Sequence, residues 1–209
     1  MKVTVYVEGG GDGKDLRIRC REGFSKLAEN AGFAGRMPRF VACGSRDETF
    51  RKFRTAVETD DGYPLLLVDS EGPVPTENVT IDSPVCWNHL RFQDNWVRPP
   101  GAANDQAQLM ATSMETWLMT DREALDTVFG SQLNSTVLFS PPGLEARAKN
   151  DVFRRLVSAT EPCGQEKTYR KGPVSFAVLA RVTADRVRQH LAYFARFIAT
   201  LNSKLNEAE

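Results

Sequence analysis

Three acids stand where chemistry is easiest to build. Glu8 closes the first β-branched run of the chain, Asp69 closes a fully apolar run, and Glu71 lies two residues further on. In extended backbone, residues two apart point to the same side, so Asp69 and Glu71 should share a face. Ligands of open α/β sheets gather beyond the carboxyl ends of the strands. The three carboxylates converge there if their two strands are neighbours. Like charges 4 Å apart repel by about 4 kcal/mol per pair at an effective dielectric near 20, so such a cluster calls for a cation. Oxygen ligands without His or Cys select Mg2+ or Mn2+. The spacing leaves a second reading open, in which Asp69 and Glu71 only cap the following loop. Gly9-Gly10-Gly11 removes side chains beside Glu8, which lets a metal or phosphate approach the backbone but equally suits a flexible turn. The run as far as Lys14 is not a P-loop: three residues instead of four separate Gly9 from Gly13, and Asp15 follows Lys14.

The elements that must position these acids follow from periodicity. Val3, Val5 and Val7 lie within Lys2–Val7, which reads as a buried strand. Leu16, Cys20, Phe24, Leu27 and Ala31 form the stripe of a core-facing helix. Arg39–Cys43 is a second strand candidate. Ser45-Arg46-Asp47-Glu48 is a capping box ahead of a helix marked by Phe50, Phe53 and Val57. Asp60-Asp61-Gly62 is a turn, and Pro64 opens Leu65–Val68, apolar on both faces and so central in a covered sheet. This βαβαβ order predicts an α/β fold with a doubly wound, mostly parallel central sheet flanked by helices. Beyond it the text predicts a loop over 72–84, a short helix over 85–93, a strand over 106–112, one helix from Met114 to about Phe129, and another through Leu144, Ala148, Val152 and Leu156. A last helix runs from Thr183 through Leu201, and the end, 206–209, frays. The expected division is an α/β domain over 1–129 and a helical C-terminal extension over 130–209, packed on the same core.

Composition narrows the classes. The chain has 209 residues, is 41% hydrophobic, and balances 27 basic against 27 acidic side chains. That excludes wholesale disorder and adhesion to nucleic acid by bulk charge. No run approaches the length of a membrane span, and the N-terminal apolar run is short and ends at an acid, unlike a signal peptide. Cys20, Cys43, Cys86 and Cys163 form no CxxC pair and only His89 and His190 accompany them, which argues against zinc and for free thiols in a reducing cytoplasm.

Val7-Glu8-Gly9 after a first strand, with Asp69-Ser70-Glu71 after a later central one, resembles the Toprim domain. Type IA and type II topoisomerases, primases, and nucleases of the overcoming-lysogenization-defect kind share that domain. Its pattern is a Glu in the first turn and an Asp-x-Asp at a later strand end, so Glu71 is a departure, one methylene longer. The chain is also similar to a small stand-alone Toprim-like bacterial family of unknown function, linked with phage defence and ATPase partners. Met114-Glu115-Thr116-Trp117-Leu118-Met119-Thr120-Asp121 resembles that group's Met-Glu-x-Trp signature, and Gly44-Ser45-Arg46 its glycine–arginine turn. Lys167-Thr168-Tyr169-Arg170-Lys171 resembles its lysine-containing segment, and Asp12 stands where its first turn carries a second acid.

The resemblance implies a Toprim-like fold and a nuclease using Mg2+ or Mn2+. Glu8, Asp69, Glu71 and Lys171 would be catalytic, and Glu8, Asp12, Asp69, Glu71 and Glu115 metal-binding. Glu115 and Asp121 are six apart on a helix, about 240° around it, so both cannot face one ion; Asp121 better ends one helix or caps the next. Trp117 and Leu118 read as core. Arg46 at a helix start opposes the dipole and so points to an anion or carboxylate partner, with a solvated Arg as the alternative. Lys167, Arg170 and Lys171 around Tyr169 suit a phosphate backbone with a stacked base, or ordinary solubility. With Arg46 they form the expected nucleic-acid contacts, to DNA in preference to RNA, in a chain that could act as a homodimer. The alternative is a non-catalytic metal- or phosphate-binding regulatory partner of an ATPase.

Overall fold

The computed structural model describes residues 2–59 and 62–207. Asp60 and Asp61 of the expected turn, and Ala208 and Glu209 of the expected frayed end, lie outside the described residues. Four strands form the sheet: β1 (Val3–Val7), β2 (Arg39–Ala42), β3 (Tyr63–Asp69) and β4 (Ala107–Met110). Their order is β2-β1-β3-β4 and every pairing is parallel, with Val5 beside both Phe40 and Leu65, and Val68 beside Leu109. The helices α1 (Lys14–Ala28), α2 (Arg46–Glu58) and α3 (Val85–Asp94) make the three crossovers. The fold is α/β, with a parallel sheet flanked by helices and a helical C-terminal part.

Alternation along the strands splits the apolar side chains into two layers, as period-2 geometry requires. Val3, Val5, Val7, Leu65 and Leu67 pack with α1 and the later helices. Leu66, Val68 and Leu109 pack with Phe53 of α2 and with Cys86, Trp87 and Leu90 of α3. The first layer draws on residues from both sides of position 129, so the C-terminal helices share the core of the sheet.

Several expectations need revision. The single helix over 114–129 is two, α4 (Met114–Thr120) and α5 (Arg122–Phe129), because Asp121 turns extended and its carboxylate accepts from Ala124 N–H at 3.3 Å. After α6 (Lys149–Thr160), a helix α7 (Pro173–Leu179) appears that no stripe announced. The last helix is also two, α8 (Ala184–Arg188) and α9 (Ala192–Asn206), broken at extended Leu191. Glu145, distant in sequence, accepts from Ala192 and Tyr193 N–H at 2.8 and 2.9 Å and so starts α9 afresh. Ser45 does cap α2, at 3.4 Å from Glu48 N–H, but the Glu48 carboxylate goes to Arg51 and Lys52 instead of closing the box.

The long loop over 72–84 is held from α9. Tyr193 Oη donates to Pro75 O at 2.8 Å, and buried Arg196 donates to the carbonyls of Thr80, Ile81, Ala107 and Asn104. One guanidinium thereby satisfies loop carbonyls and one from β4, groups that would be costly to bury unpaired.

Candidate metal centre

The chain leaves β1 toward β2 and leaves β3 toward β4, so the gap between β1 and β3 is the switch point of the sheet. Glu8 is the first residue past β1, and its N–H still donates to Leu67 O at 2.9 Å. Asp69 is the last residue of β3. The backbone then bends: Ser70 N–H donates to Met110 O, Glu71 N–H to Thr112 O, and Glu71 adopts a left-handed φ of 64°. The extended-backbone argument for Glu71 therefore fails. It is this turn, a conformation that a residue with a side chain adopts only at a cost, that brings its carboxylate back. Ligand oxygens of Glu8, Asp69 and Glu71 lie within 4.8 Å of one another.

Two cations already face these acids. Arg46, second residue of the Ser45-capped turn, places Nη1 3.1 Å from Glu8 Oε2 and grips Asp94 through Nε and Nη2, both at 2.7 Å. It also donates to Asp69 O and lies 5.1 Å from the centroid of the Trp96 ring. Lys149, first residue of α6, sits 3.0 Å from Asp69 Oδ2 and 2.5 Å from Glu71 Oε1. Asp69 Oδ1 accepts from Met114 N–H at 3.0 Å, at the start of α4. Burial pushes the Asp69 carboxyl up to about 7, with Glu8 adding to the rise and Lys149 opposing it. Burial also raises Glu8, against the pull of Arg46 and of the Asp69 N–H. Burial works against the Lys149 charge, but Asp69 and Glu71 outweigh it and hold the ammonium above its ordinary range.

Glu8 and Asp69 open into a cavity of about 310 Å³. Gly9, Gly10 and Gly11 line it, all with positive φ. Gly9 and Gly44 exchange backbone hydrogen bonds at 3.0 and 2.9 Å, and a Cβ on Gly44 would stand 2.8 Å from Gly11 O, so that wall must be backbone. The far wall holds Glu115 and Lys171. Glu115 is 2% exposed; its Oε1 accepts from Tyr169 Oη at 3.0 Å, and its Oε2 lies 3.5 Å from Lys171 Nζ. Ser175 at the start of α7 meets Tyr169 Oη at 2.9 Å.

The structure thus gathers Glu8, Asp69 and Glu71, and places Lys171 and Glu115 across the same cavity. Four expectations change. Asp12 is exposed, its nearest cation Arg17 at 4.0 Å, and it is not part of the acid group. Tyr169 is buried against Phe153, so its ring cannot stack on a base. Arg46 is committed to carboxylates and Asp69 O, which makes it a holder of Glu8 and not a hand for phosphate. Lys167 and Arg170 are exposed, Arg170 donating to Gln165 O, with no contact to the acids. Sequence reasoning missed Lys149, Asp94 and His89, whose ring nitrogen lies 2.7 Å from Ser70 O. One signal was available: Lys149 opens a helix against the dipole, the feature that drew attention to Arg46. Asp121 ends α4, caps α5, and accepts from Thr183 N–H and Arg186, away from the site. Trp117 and Leu118 are core, the indole packed on Phe24, Phe194 and Phe197.

No curated protein and no solved structure matches the chain. Residues 7–202 match a family described as a domain of unknown function (DUF4276), and the chain belongs to that family.

Proposed function

We propose that this protein is a Toprim-type nuclease that hydrolyses phosphodiester bonds of nucleic acid, DNA in preference to RNA, with Mg2+ or Mn2+. The observation that carries the reading is the approach of three carboxylates to within 4.8 Å at the switch point of a parallel sheet. The donor set fits a hard divalent ion, being oxygen throughout and open to a cavity on one side. Glu8, Asp69 and Glu71 would hold it, and the bound ion would supply Lewis acidity toward phosphate and a nucleophilic water near neutral pH. Arg46 fixes the Glu8 rotamer through Asp94. Lys149 and Lys171 place ammonium groups on two sides of the cavity, where they can bind phosphate oxygens and stabilise charge on a leaving oxygen. The likeness to phage-defence proteins with ATPase partners makes that setting part of the proposal.

The test is plasmid or oligonucleotide cleavage with Mn2+ or Mg2+, beside Glu8→Gln and Asp69→Asn. Each change should lower the rate by at least about a hundredfold, since loss of a direct ligand exceeds the loss of a supporting one. Cleavage that survives both changes overturns the reading. One observation favours a second reading, the regulatory partner of an ATPase: Arg46 and Lys149 already supply much of the neutralising charge. Metal binding without cleavage of any strand would favour it.

A further inference from the structure

A second cavity, of about 510 Å³, opens along the exposed face of α6. Asp151, Arg154, Arg155 and Ser158 recur there at three and four residues, while Val152, Leu156 and Ala159 turn into the core. The guanidiniums of Arg147 and Arg155 lie 4.8 and 4.9 Å from the centroid of one ring, Phe139. Neither has a carboxylate or side-chain hydrogen-bond partner among the described residues. The one acid in the cavity, Asp151, is taken by Arg154. Like charges gathered on a single ring without acids are unfavourable in isolation, and planar guanidiniums stacked on an aromatic keep their donor edges free for an anion.

We propose that Arg147 and Arg155, steadied by Phe139, bind backbone phosphate of a nucleic-acid strand next to the acids. This deepens the nuclease reading and rests on it for the identity of the anion. Thr112 ties the two places together. Its Oγ1 donates to Arg147 O at 3.1 Å, and its carbonyl accepts from Glu71 N–H at 3.1 Å. Arg155 lies six residues along α6 from Lys149, about 9 Å along the axis at 1.5 Å per residue and about 240° around it, so a strand that meets both must follow the helix surface round. The open, multi-arginine form suits a chain of phosphates better than one enclosed ion. Recognition thereby moves from the 167–171 loop to α6.

The test is fluorescence anisotropy of a labelled single-stranded oligonucleotide, in EDTA so that nothing is cut, as a function of salt. Arg147→Ala and Arg155→Ala should each weaken binding about three- to tenfold, and each should lower the salt slope by about 0.7. Arg147→Lys and Arg155→Lys should recover only part of the loss, since an ammonium lacks the bidentate fork. Arg181→Ala, beyond the end of α7, is the control for the loss of one positive charge. All of these side chains are exposed, so melting temperatures should stay unchanged. Hydrolysis of bis(p-nitrophenyl) phosphate, too small to reach from the acids to Arg147 and Arg155, should be equal in wild type and Arg variants. If the wild type hydrolyses nothing yet strand binding depends on both arginines, the nuclease reading fails and this one stands. Wild-type strand affinity in both Ala variants overturns it. So does displacement of inorganic phosphate, but not of the strand, by the same changes, which would make the cavity a small-anion site.

Discussion

Lys149→Met isolates the electrostatic logic of the acid cluster. The ammonium lies 3.0 Å from Asp69 and 2.5 Å from Glu71, and its removal leaves Arg46 alone against four carboxylates, Asp94 included. Breaking a buried ion pair costs about 3 to 5 kcal/mol. Lys149 retains 21% side-chain exposure and Glu71 33%, so the lower end, about 3 kcal/mol, applies. For 209 residues the entropy of unfolding is roughly 440 cal/mol/K, so the variant should melt about 7 °C lower in EDTA. A divalent ion at a hundredfold excess over its dissociation constant restores about 2.7 kcal/mol, or about 6 °C. On the proposed reading the ion would take the place of Lys149 in the wild type, so its effect there should be smaller. Thermal melts of both proteins with EDTA and with MnCl2 read all four states. A variant that melts within about 2 °C of wild type in EDTA, or an equal Mn2+ shift in both proteins, refutes the argument.

Burial pushes Glu145 up to about 7, with the Tyr193 and Ala192 N–H groups pulling the other way. A folded value above the ordinary 4.5 means that the group's stabilisation is complete below pH 4.5 and is lost as pH rises through 7. Glu145→Gln should make stability against pH shallower across that window, by up to about 1.4 kcal/mol per pH unit, in urea titrations; an unchanged slope would dismiss the assignment. Gly44→Ala places a Cβ 2.8 Å from Gly11 O at a φ of 86° and should cost about 2 to 4 kcal/mol. Gly13→Ala, where a Cβ meets nothing within 4 Å, should be close to neutral in the same denaturation series.

The parallel sheet was legible because Val3–Val7 and Leu65–Val68 are written in local chemistry: β-branched or apolar runs, bounded by turn formers, with helical stripes between them. The site was legible only where it sits on those elements. Glu8 and Asp69 end strands, so fold prediction and site prediction were one inference. Glu71 reached the cluster by a left-handed turn that extended geometry does not foresee. Lys149 and Asp94 are separated from their partners by 80 and 48 residues, and no period or motif carries such pairings. The splitting of the last helix has the same cause, since its cap comes from Glu145 across the core. Tyr169 misled because a basic–aromatic run looks the same whether the ring faces solvent or, as here, serves a buried Glu115.

Charge balance connects the ion pairs to the proposed chemistry. Four carboxylates, Asp94 among them, face two cations, so the cluster is two positive charges short of neutrality. On the proposed reading, Glu8, Asp69 and Glu71 would hold a divalent ion in place of the Lys149 ammonium, and four acids would then face three positive charges, closer to balance. Entry of the ion is then an exchange of cations, not an addition to a crowded site. Arg46 should not leave, because Asp94 grips it through two nitrogens and Trp96 stacks against it. Lys149 has only the two acids that the ion takes over, and its stem lets the ammonium swing toward the cavity that phosphate would enter. On that reading, the residue that holds the cluster together without metal would also be the one freed to meet substrate. It follows that Lys149→Met should impair cleavage even at Mn2+ concentrations that fully restore its stability. Full activity under those conditions would show that the ammonium serves folding alone.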